Sequence, residues 1–160
     1  MIVYHGGTEK IESPVCKFGR RNLDFGQGFY VTDIRKQAVG WATLVADRRK
    51  VAPIINRYYL DRDAILREAH CKVFTAYDKD WLQFIVANRV GRDDIEHYDV
   101  IEGGVANDRV IDSVEAYMAN LMPLENALHE LSKHRPNNQL CITNQIVIDD
   151  CLVFVESYKI

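Results

Sequence analysis

The chain has 160 residues, of which 48% are hydrophobic and 27% charged, values ordinary for a globular protein with its own core. Its net charge of -3 and pI near 5.9 argue against a general nucleic-acid binder, which would carry a basic stripe. No apolar run approaches the roughly 18 to 20 residues that span a bilayer. The start "MIVYHGG" lacks the features of a secretory signal, and the four cysteines are widely spaced. We therefore expect a single domain over residues 1–160, with reduced thiols, in the cytoplasm.

The first third of the chain alternates β-rich and helical patterns. "MIVYHG" predicts a strand that stops at Gly6-Gly7, and residues 11–27 read as a loop. "GFYVT" is rich in aromatic and β-branched residues, which favour a second strand. "DIRKQAVGWATLVADRRK" predicts a helix with Asp33 as its N-cap. Its apolar residues at helical spacing are Ala38, Trp41, Ala42 and Val45.

The remaining segments continue without a regular strand–helix–strand alternation. "PIINRYYL", "YDVIEGG" and "LVFVESYKI" are predicted strands. "KDWLQFIVANR" is a predicted helix with Trp81, Phe84, Ile85 and Asn88 on one face. "SVEAYMANL" and "PLENALHELSKH" are two more helices, the second with Pro123 where a first turn tolerates it. By composition "NQLCIT" is a short polar or helical piece. This order favours an α+β domain with a mixed or mostly antiparallel sheet.

Spacing excludes several familiar motifs. "GQGFYV" begins like a dinucleotide-binding turn, but Val31 stands where the third glycine belongs and a strand follows instead of a helix. No P-loop or GxSxG motif occurs. In "HELSKH", His129 and His134 are five residues apart, which turns them about 140° from each other on a helix, whereas a zinc-binding pair is spaced by four. We therefore expect no bound metal.

Three stretches combine into a recognisable pattern: "YHGG" after the first strand, "GQGFYVTD" opening the second, and "NNQLCIT" late in the chain. Together they resemble the ADP-ribosyltransferase superfamily, in its histidine-tyrosine-glutamate branch of diphtheria-toxin-like and poly-ADP-ribose-polymerase-like proteins. "GQGFYVTD" is similar to the "GxGxYFAD" strand of the polymerases. Trp41 follows Tyr30 by eleven residues, where that family has a second ring-stacking aromatic, and His5-Gly6 matches the family's His-Gly pair.

The resemblance implies an α+β fold with a split mixed or antiparallel sheet core and flanking helices. It also implies NAD as a substrate, no metal, and a protein acceptor. The order of the motifs is similar to a compact bacterial group in which some members are encoded beside a small partner protein, as toxins are beside antitoxins. A small antitoxin-like partner is therefore a further implication, with neither a membrane nor a nucleic acid as the expected partner.

The chemistry explains why these residue types belong together. Breaking the nicotinamide–ribose bond of NAD passes through an oxocarbenium-like state, so the site must hold the cofactor while nicotinamide leaves. A histidine hydrogen-bonds a ribose hydroxyl, and an adjacent glycine lets the backbone bond both ends of the carboxamide. Two aromatic rings sandwich the pyridinium, each adding about 0.5 to 2 kcal/mol of cation–π attraction. We expect catalytic roles for His5, Tyr30 and Gln139, and cofactor binding by His5, Gly6, Arg20, Asp24, Gly28, Tyr30, Thr32 and Trp41.

The chain lacks one charged residue that the family carries. The family carries a glutamate on the late strand, which binds the ribose 2′-hydroxyl and stabilises developing positive charge. Here that position falls on Gln139, and Gln145 in "TNQIVI" fits equally well. Losing one such charge, worth about 2.7 to 4 kcal/mol, slows a reaction roughly 10² to 10³-fold.

Asp149, Asp150 and Glu156 are the other acids that could supply the missing charge. Their spacing in the sequence does not indicate that any of them does so. We therefore expect slow mono-ADP-ribosyl transfer to a protein. The alternatives are a catalytically weak NAD-binding or partner-binding module, an NAD glycohydrolase, and a nucleic-acid ADP-ribosyltransferase.

Overall fold

A computed structural model describes residues 1–160, apart from the side chain of Asp108, as seven strands and six α-helices. The strands are β1 (Ile2–Gly7), β2 (Phe29–Val31), β3 (Ile54–Leu60), β4 (Cys71–Val73), β5 (Val100–Gly103), β6 (Gln139–Ile142) and β7 (Leu152–Lys159). The helices are α1 (Arg35–Arg49), α2 (Arg62–Glu68), α3 (Lys79–Arg89), α4 (Asp108–Met118), α5 (Leu124–Leu131) and α6 (Gln145–Cys151). A 3-10 turn covers Cys16–Phe18. The predicted α+β class is confirmed.

The strands form two sheets that touch at one point. Sheet A has the order β1–β3–β7 and sheet B the order β2–β6–β5–β4, with only β4 and β5 parallel. Between the sheets Tyr4 and Thr32 exchange two backbone hydrogen bonds, of 2.8 and 2.9 Å. Thr32 directly follows β2, and because this is the one backbone pair that joins the two sheets among the described residues, β1 and β2 part on either side of it.

Alternation along each strand divides the apolar side chains among three cores. The main core lies between the sheets and includes Val3 and Tyr58 of sheet A with Phe29 and Leu140 of sheet B. A second core covers the other face of sheet B with α3, α4 and α5, around the fully buried Trp81. The third is small and packs α1 onto sheet A.

Helix α1 lies very close to β1, and this closeness explains which of its residues are buried. A Cβ at Gly6 would come 2.1 Å from the carbonyl oxygen of Ala38, so only glycine fits beneath the helix. The buried residues of α1 are Ala38, Ala42 and Ala46, whereas Trp41 is 45% exposed. The predicted apolar face was therefore wrong for Trp41, whereas Val45 is half-buried.

Three further predictions about local structure need correction. Asp33 is not the N-cap of α1: the cap position is Ile34, without a side-chain cap, and the Asp33 carboxylate accepts from Asn138 Nδ2 at 3.1 Å. "NQLCIT" contains strand β6 and is not helical. The sequence patterns also missed α2, β4 and α6, which are three to seven residues long.

The four cysteines are free thiols, as expected. Within the described part of the chain, no helix combines the length and the apolar character needed to cross a membrane.

Candidate functional site

The imidazole of His5 lies where the two sheets part. Its Nδ1 is 2.8 Å from the carbonyl oxygen of Tyr30 on β2, and its ring stacks on Phe29 at a centroid distance of 4.7 Å. A carbonyl only accepts hydrogen bonds, so Nδ1 carries the proton. Burial lowers the pKa of His5 below its usual 6.5, which keeps the ring neutral at pH 7. The Nε2 atom is consequently a hydrogen-bond acceptor.

Gly6 directs its backbone groups along the edge of β1 that faces β2. In an antiparallel ladder, alternate residues turn their N–H and C=O toward one neighbouring strand. Tyr4 uses both groups on Thr32, so Gly6, two residues further along, turns its own to the same side and away from β3. Gly6 is buried. Outside the regular strand ladders, neither its N–H nor its C=O forms a backbone hydrogen bond to a described residue. One residue thus presents a donor and an acceptor side by side.

Tyr30 and Gln139 lie on the same face of sheet B. Tyr30 pairs with Cys141 in the β2–β6 ladder, and Gln139 is two residues before Cys141. Gln139 is half-buried, pairs with Gly103 of β5, and makes no side-chain hydrogen bond among the described residues. Of the two glutamines that fitted the late-strand position, Gln139 is the one on a strand beside β2.

Gln145 lies on α6 and is engaged elsewhere. Its Oε1 accepts from the Cys16 amide at 3.0 Å, and its Nε2 donates to the Pro14 carbonyl at 3.0 Å and to Asp149 at 2.8 Å. It therefore ties the 3-10 turn to α6. Asp150 is on the same helix, and Glu156 forms an exposed ion pair with Arg57 on sheet A.

The ring of Tyr30 is positioned by the loop before β2. Its hydroxyl donates to the Gly26 carbonyl at 2.7 Å and accepts from the Phe25 amide at 3.0 Å. Its ring is nearly parallel to that of Phe25, at a centroid distance of 6.4 Å. Burial is the main reason why the pKa of Tyr30 lies well above 10, so the phenol is protonated.

Trp41 and Arg20 contact each other on the outer side of α1. The Arg20 guanidinium carbon lies 5.8 Å from the centre of the indole ring, a cation–π distance. The described residues show no ring contact between Trp41 and Tyr30. The structure thus places the predicted loop arginine against the predicted stacking ring, on a helix that begins three residues after Thr32.

Three other predicted residues make protein contacts. The buried carboxylate of Asp24 accepts from Arg89 Nε of α3 and from the Ala106 amide, each at 2.6 Å. A Cβ on Gly28 would lie 2.5 Å from the Cys141 sulfur, so Gly28 allows close packing on β6. Thr32 is 3% exposed and donates to the Asn138 carbonyl at 2.6 Å. The predicted contacts of Asp24, Gly28 and Thr32 with the cofactor stay predictions.

Sequence reasoning missed a buried carboxylate beside β6. Glu102 accepts from Arg62 at 2.6 Å and from Asn138 Nδ2 at 3.2 Å, and its side chain is 12% exposed. It pairs with Leu140, so it lies on the face of sheet B opposite to that of Gln139. A glutamate inside the apolar run "YDVIEGG" was the signal for it.

Two cavities lie on the helical side of sheet B. One of about 430 Å³ is bounded by α5 and the start of α3, and one of about 400 Å³ lies beside the start of α4. Neither is lined by His5, Tyr30 or Trp41. No group of three or more histidine, cysteine, aspartate or glutamate side chains in the described part of the chain is arranged to hold a metal ion.

These features define an α+β protein of two sheets with a polar strand edge where the sheets part. Residues 1–154 match the model of a family described as protein of unknown function (DUF3990), and the chain belongs to that family. No match was found among curated proteins or among solved structures.

Proposed function

We propose that this protein is a cytoplasmic, NAD-dependent mono-ADP-ribosyltransferase that modifies a protein acceptor. The observation that carries the proposal is the strand edge at Gly6, with the neutral imidazole of His5 beside it and Tyr30 on the facing strand. A resident metal is not part of the proposal, and NAD enters as a substrate. A small protein that occludes this edge is the partner we propose for it.

The strand edge matches the chemistry of nicotinamide. The Gly6 carbonyl accepts from the carboxamide NH₂ while the Gly6 N–H donates to the carboxamide oxygen. His5 Nε2 accepts from a ribose hydroxyl, because the Tyr30 carbonyl holds the ring proton on Nδ1. These groups are fixed by the fold before a ligand arrives, which spares the entropy of ordering them.

Gln139 decides the rate that we expect. The bond between ribose and nicotinamide breaks with its electron pair going to nicotinamide, and a lone pair of the acceptor forms the new bond to the anomeric carbon as the acceptor proton passes to solvent. A glutamine carbonyl accepts a ribose hydroxyl hydrogen bond but adds no charge to stabilise the cationic sugar. The proposed reaction is therefore slow transfer, one ADP-ribose at a time.

The test is transfer of label from NAD to a discrete protein band in a cell lysate. Gln139→Glu restores a carboxylate at the late-strand position, and we expect a gain of roughly 10² to 10³-fold in rate. Gln145→Glu makes the same change on α6 and should give no gain in rate; because it also removes the donors to Pro14 and Asp149, thermal melts check that this control is folded. A gain in the Gln145 variant alone would contradict the assignment of Gln139.

A second candidate is a catalytically weak NAD-binding or partner-binding module, favoured by the uncharged Gln139 on β6. NAD that shifts the amide resonance of Gly6 without any labelled product supports this module. Free nicotinamide without a labelled acceptor indicates hydrolysis, and label on nucleic acid indicates that acceptor instead. If NAD does not bind, and His5→Ala alters neither NAD binding nor product formation, both candidates fail.

A further inference from the structure

A second feature of the molecule has the character of an anion site. The cavity of about 400 Å³ beside the start of α4 is lined by Tyr77, Asn107, Arg109, Val110, His134, Arg135 and Asn137. We propose that this cavity binds a phosphate group. Of the lining side chains that the structure describes, two are permanently cationic, a third is a histidine, and none is acidic.

The two arginines have no described partner that would neutralise them. Arg109 and Arg135 are exposed and form no ion pair or side-chain hydrogen bond with the described side chains. By contrast, Arg62, Arg89 and Arg92 each pair with a carboxylate. In a chain of net charge -3, two guanidinium groups at one cavity without a partner among the described side chains indicate an anionic ligand, because their fork geometry matches phosphate oxygens.

Neutral groups complete the set of donors. Asn137 uses its Oδ1 to accept from the Val105 amide at 2.7 Å, which leaves its NH₂ group as a donor. Asn107 stands at the N-cap position of α4 without a side-chain cap. Helix α4 is eleven residues long, so its N-terminus adds positive potential to that of the arginines.

Among the described side chains, two acidic groups near this cavity lie outside its lining. The ion pair and hydrogen bond of Glu130 on α5 are with Lys133, which is the main reason why the pKa of this carboxyl is lowered. Asp78 lines the neighbouring cavity, which shares Tyr77 and His134 with this one. Neither of these two carboxylates forms an ion pair with Arg109 or Arg135.

The cavity lies close to Gln139 along the chain and across the sheet. Asn137 is two residues before Gln139, and Asn107 and Arg109 follow the end of β5, whose Gly103 pairs with Gln139. If the proposed function holds, the phosphate belongs either to the pyrophosphate of NAD or to a phosphorylated acceptor. A nucleic acid is not the expected source of the phosphate, because the chain as a whole is acidic.

The experiment is calorimetric titration of the full chain with inorganic pyrophosphate, without NAD, at low and at moderate salt. The variant Arg109→Gln/Arg135→Gln is compared with Arg67→Gln/Arg92→Gln, which removes two exposed arginines that do not line the cavity, with the same change in net charge. Thermal melts check that both variants are folded. We expect the cavity variant to lose roughly tenfold or more in affinity and the control to bind as the parent does.

Competition by ADP-ribose and by a phosphoserine peptide then identifies the source of the phosphate. Displacement by ADP-ribose indicates that the cavity binds the pyrophosphate of NAD. Displacement by the peptide alone indicates that it binds a phosphorylated acceptor. Equal pyrophosphate binding by the cavity variant and the parent, or none by the parent, would overturn the proposal. Pyrophosphate binding without NAD binding would instead leave this site standing and count against the proposed function.

Discussion

At the scale of single residues, the imidazole of His5 gives the fold a pH dependence. Its pKa is below 6.5 in the folded chain because burial disfavours the cation, whereas the unfolded chain has the ordinary value near 6.5. As the pH falls through 6.5, the unfolded chain gains a proton that the folded chain does not. The free energy of unfolding therefore decreases, by at most about 1.4 kcal/mol per pH unit, and this contribution is absent above about pH 7.

The prediction is that His5→Gln flattens this dependence. Thermal melts between pH 7.5 and 5.5 should show a steeper fall in melting temperature for the parent than for the variant. His97→Gln removes an exposed imidazole and serves as the control, with a dependence like that of the parent. Parallel curves for the parent and His5→Gln would show that His5 is protonated equally in both states.

Cys141 is a residue whose reactivity is set by its position. Its side chain is fully buried behind Tyr30, and burial raises the pKa of its thiol to about 12. Since the thiolate is the reactive form, a thiol reagent should leave Cys141 unmodified in the native protein. Mass spectrometry should find label on the half-buried Cys16, Cys71 and Cys151 first, and on all four thiols in urea. Early labelling of Cys141 in the native protein would contradict its burial.

At the scale of elements, one ion pair connects the loop before β2 to helix α3. The Asp24 carboxylate is 8% exposed, and the Arg89 guanidinium that it contacts is 23% exposed. Asp24 also holds the Ala106 amide after β5, so one side chain joins three segments of the chain. Breaking a buried pair by removing one partner leaves the other charge uncompensated, which costs about 3 to 5 kcal/mol.

We therefore predict that Asp24→Ala lowers the free energy of unfolding by about that amount in urea titrations. The exposed pair of Lys133 and Glu130 is the control, and Glu130→Ala should cost far less because solvent screens it. A similar cost for both variants would mean that Asp24 and Arg89 are solvated in the native state.

Much of the element order was predictable, and the failures share a physical cause. Strands β1, β2, β3, β5 and β7 and helices α1, α3, α4 and α5 carry clear periodicity in the sequence. Helices α2 and α6 span only seven residues each and β4 only three, too few for a period to stand out. The buried face of α1 was misassigned because Gly6 demands small residues above it, and this contact over some thirty residues is not visible locally.

At the scale of the whole molecule, the sheet order brings distant segments together. Pairing β2 with β6 puts Tyr30 and Gln139 on one face, more than 100 residues apart in sequence, while the Tyr4–Thr32 contact brings His5 to Tyr30. Motif order predicted that these residues form one site, which stays a prediction, and it did not reveal that Asp24 and Gly28 make protein contacts. Those contacts depend on Arg89, Ala106 and Cys141, whose positions only the folded chain defines.

The same architecture predicts how NAD should affect stability. A ligand held by Gly6 of sheet A and by Tyr30 of sheet B connects two sheets that share one backbone pair, and it binds only the folded chain. At 100 times its dissociation constant such a ligand adds about 2.7 kcal/mol, which for a chain of this length raises the melting temperature by roughly 5 to 10 °C. Trp41→Ala should reduce the shift by removing one stacking ring, whereas Leu44→Ala, an equally exposed apolar change on α1, should not. Equal shifts in the two variants would place NAD away from Trp41, and no shift in the parent would remove the strand edge at Gly6 as a nicotinamide site.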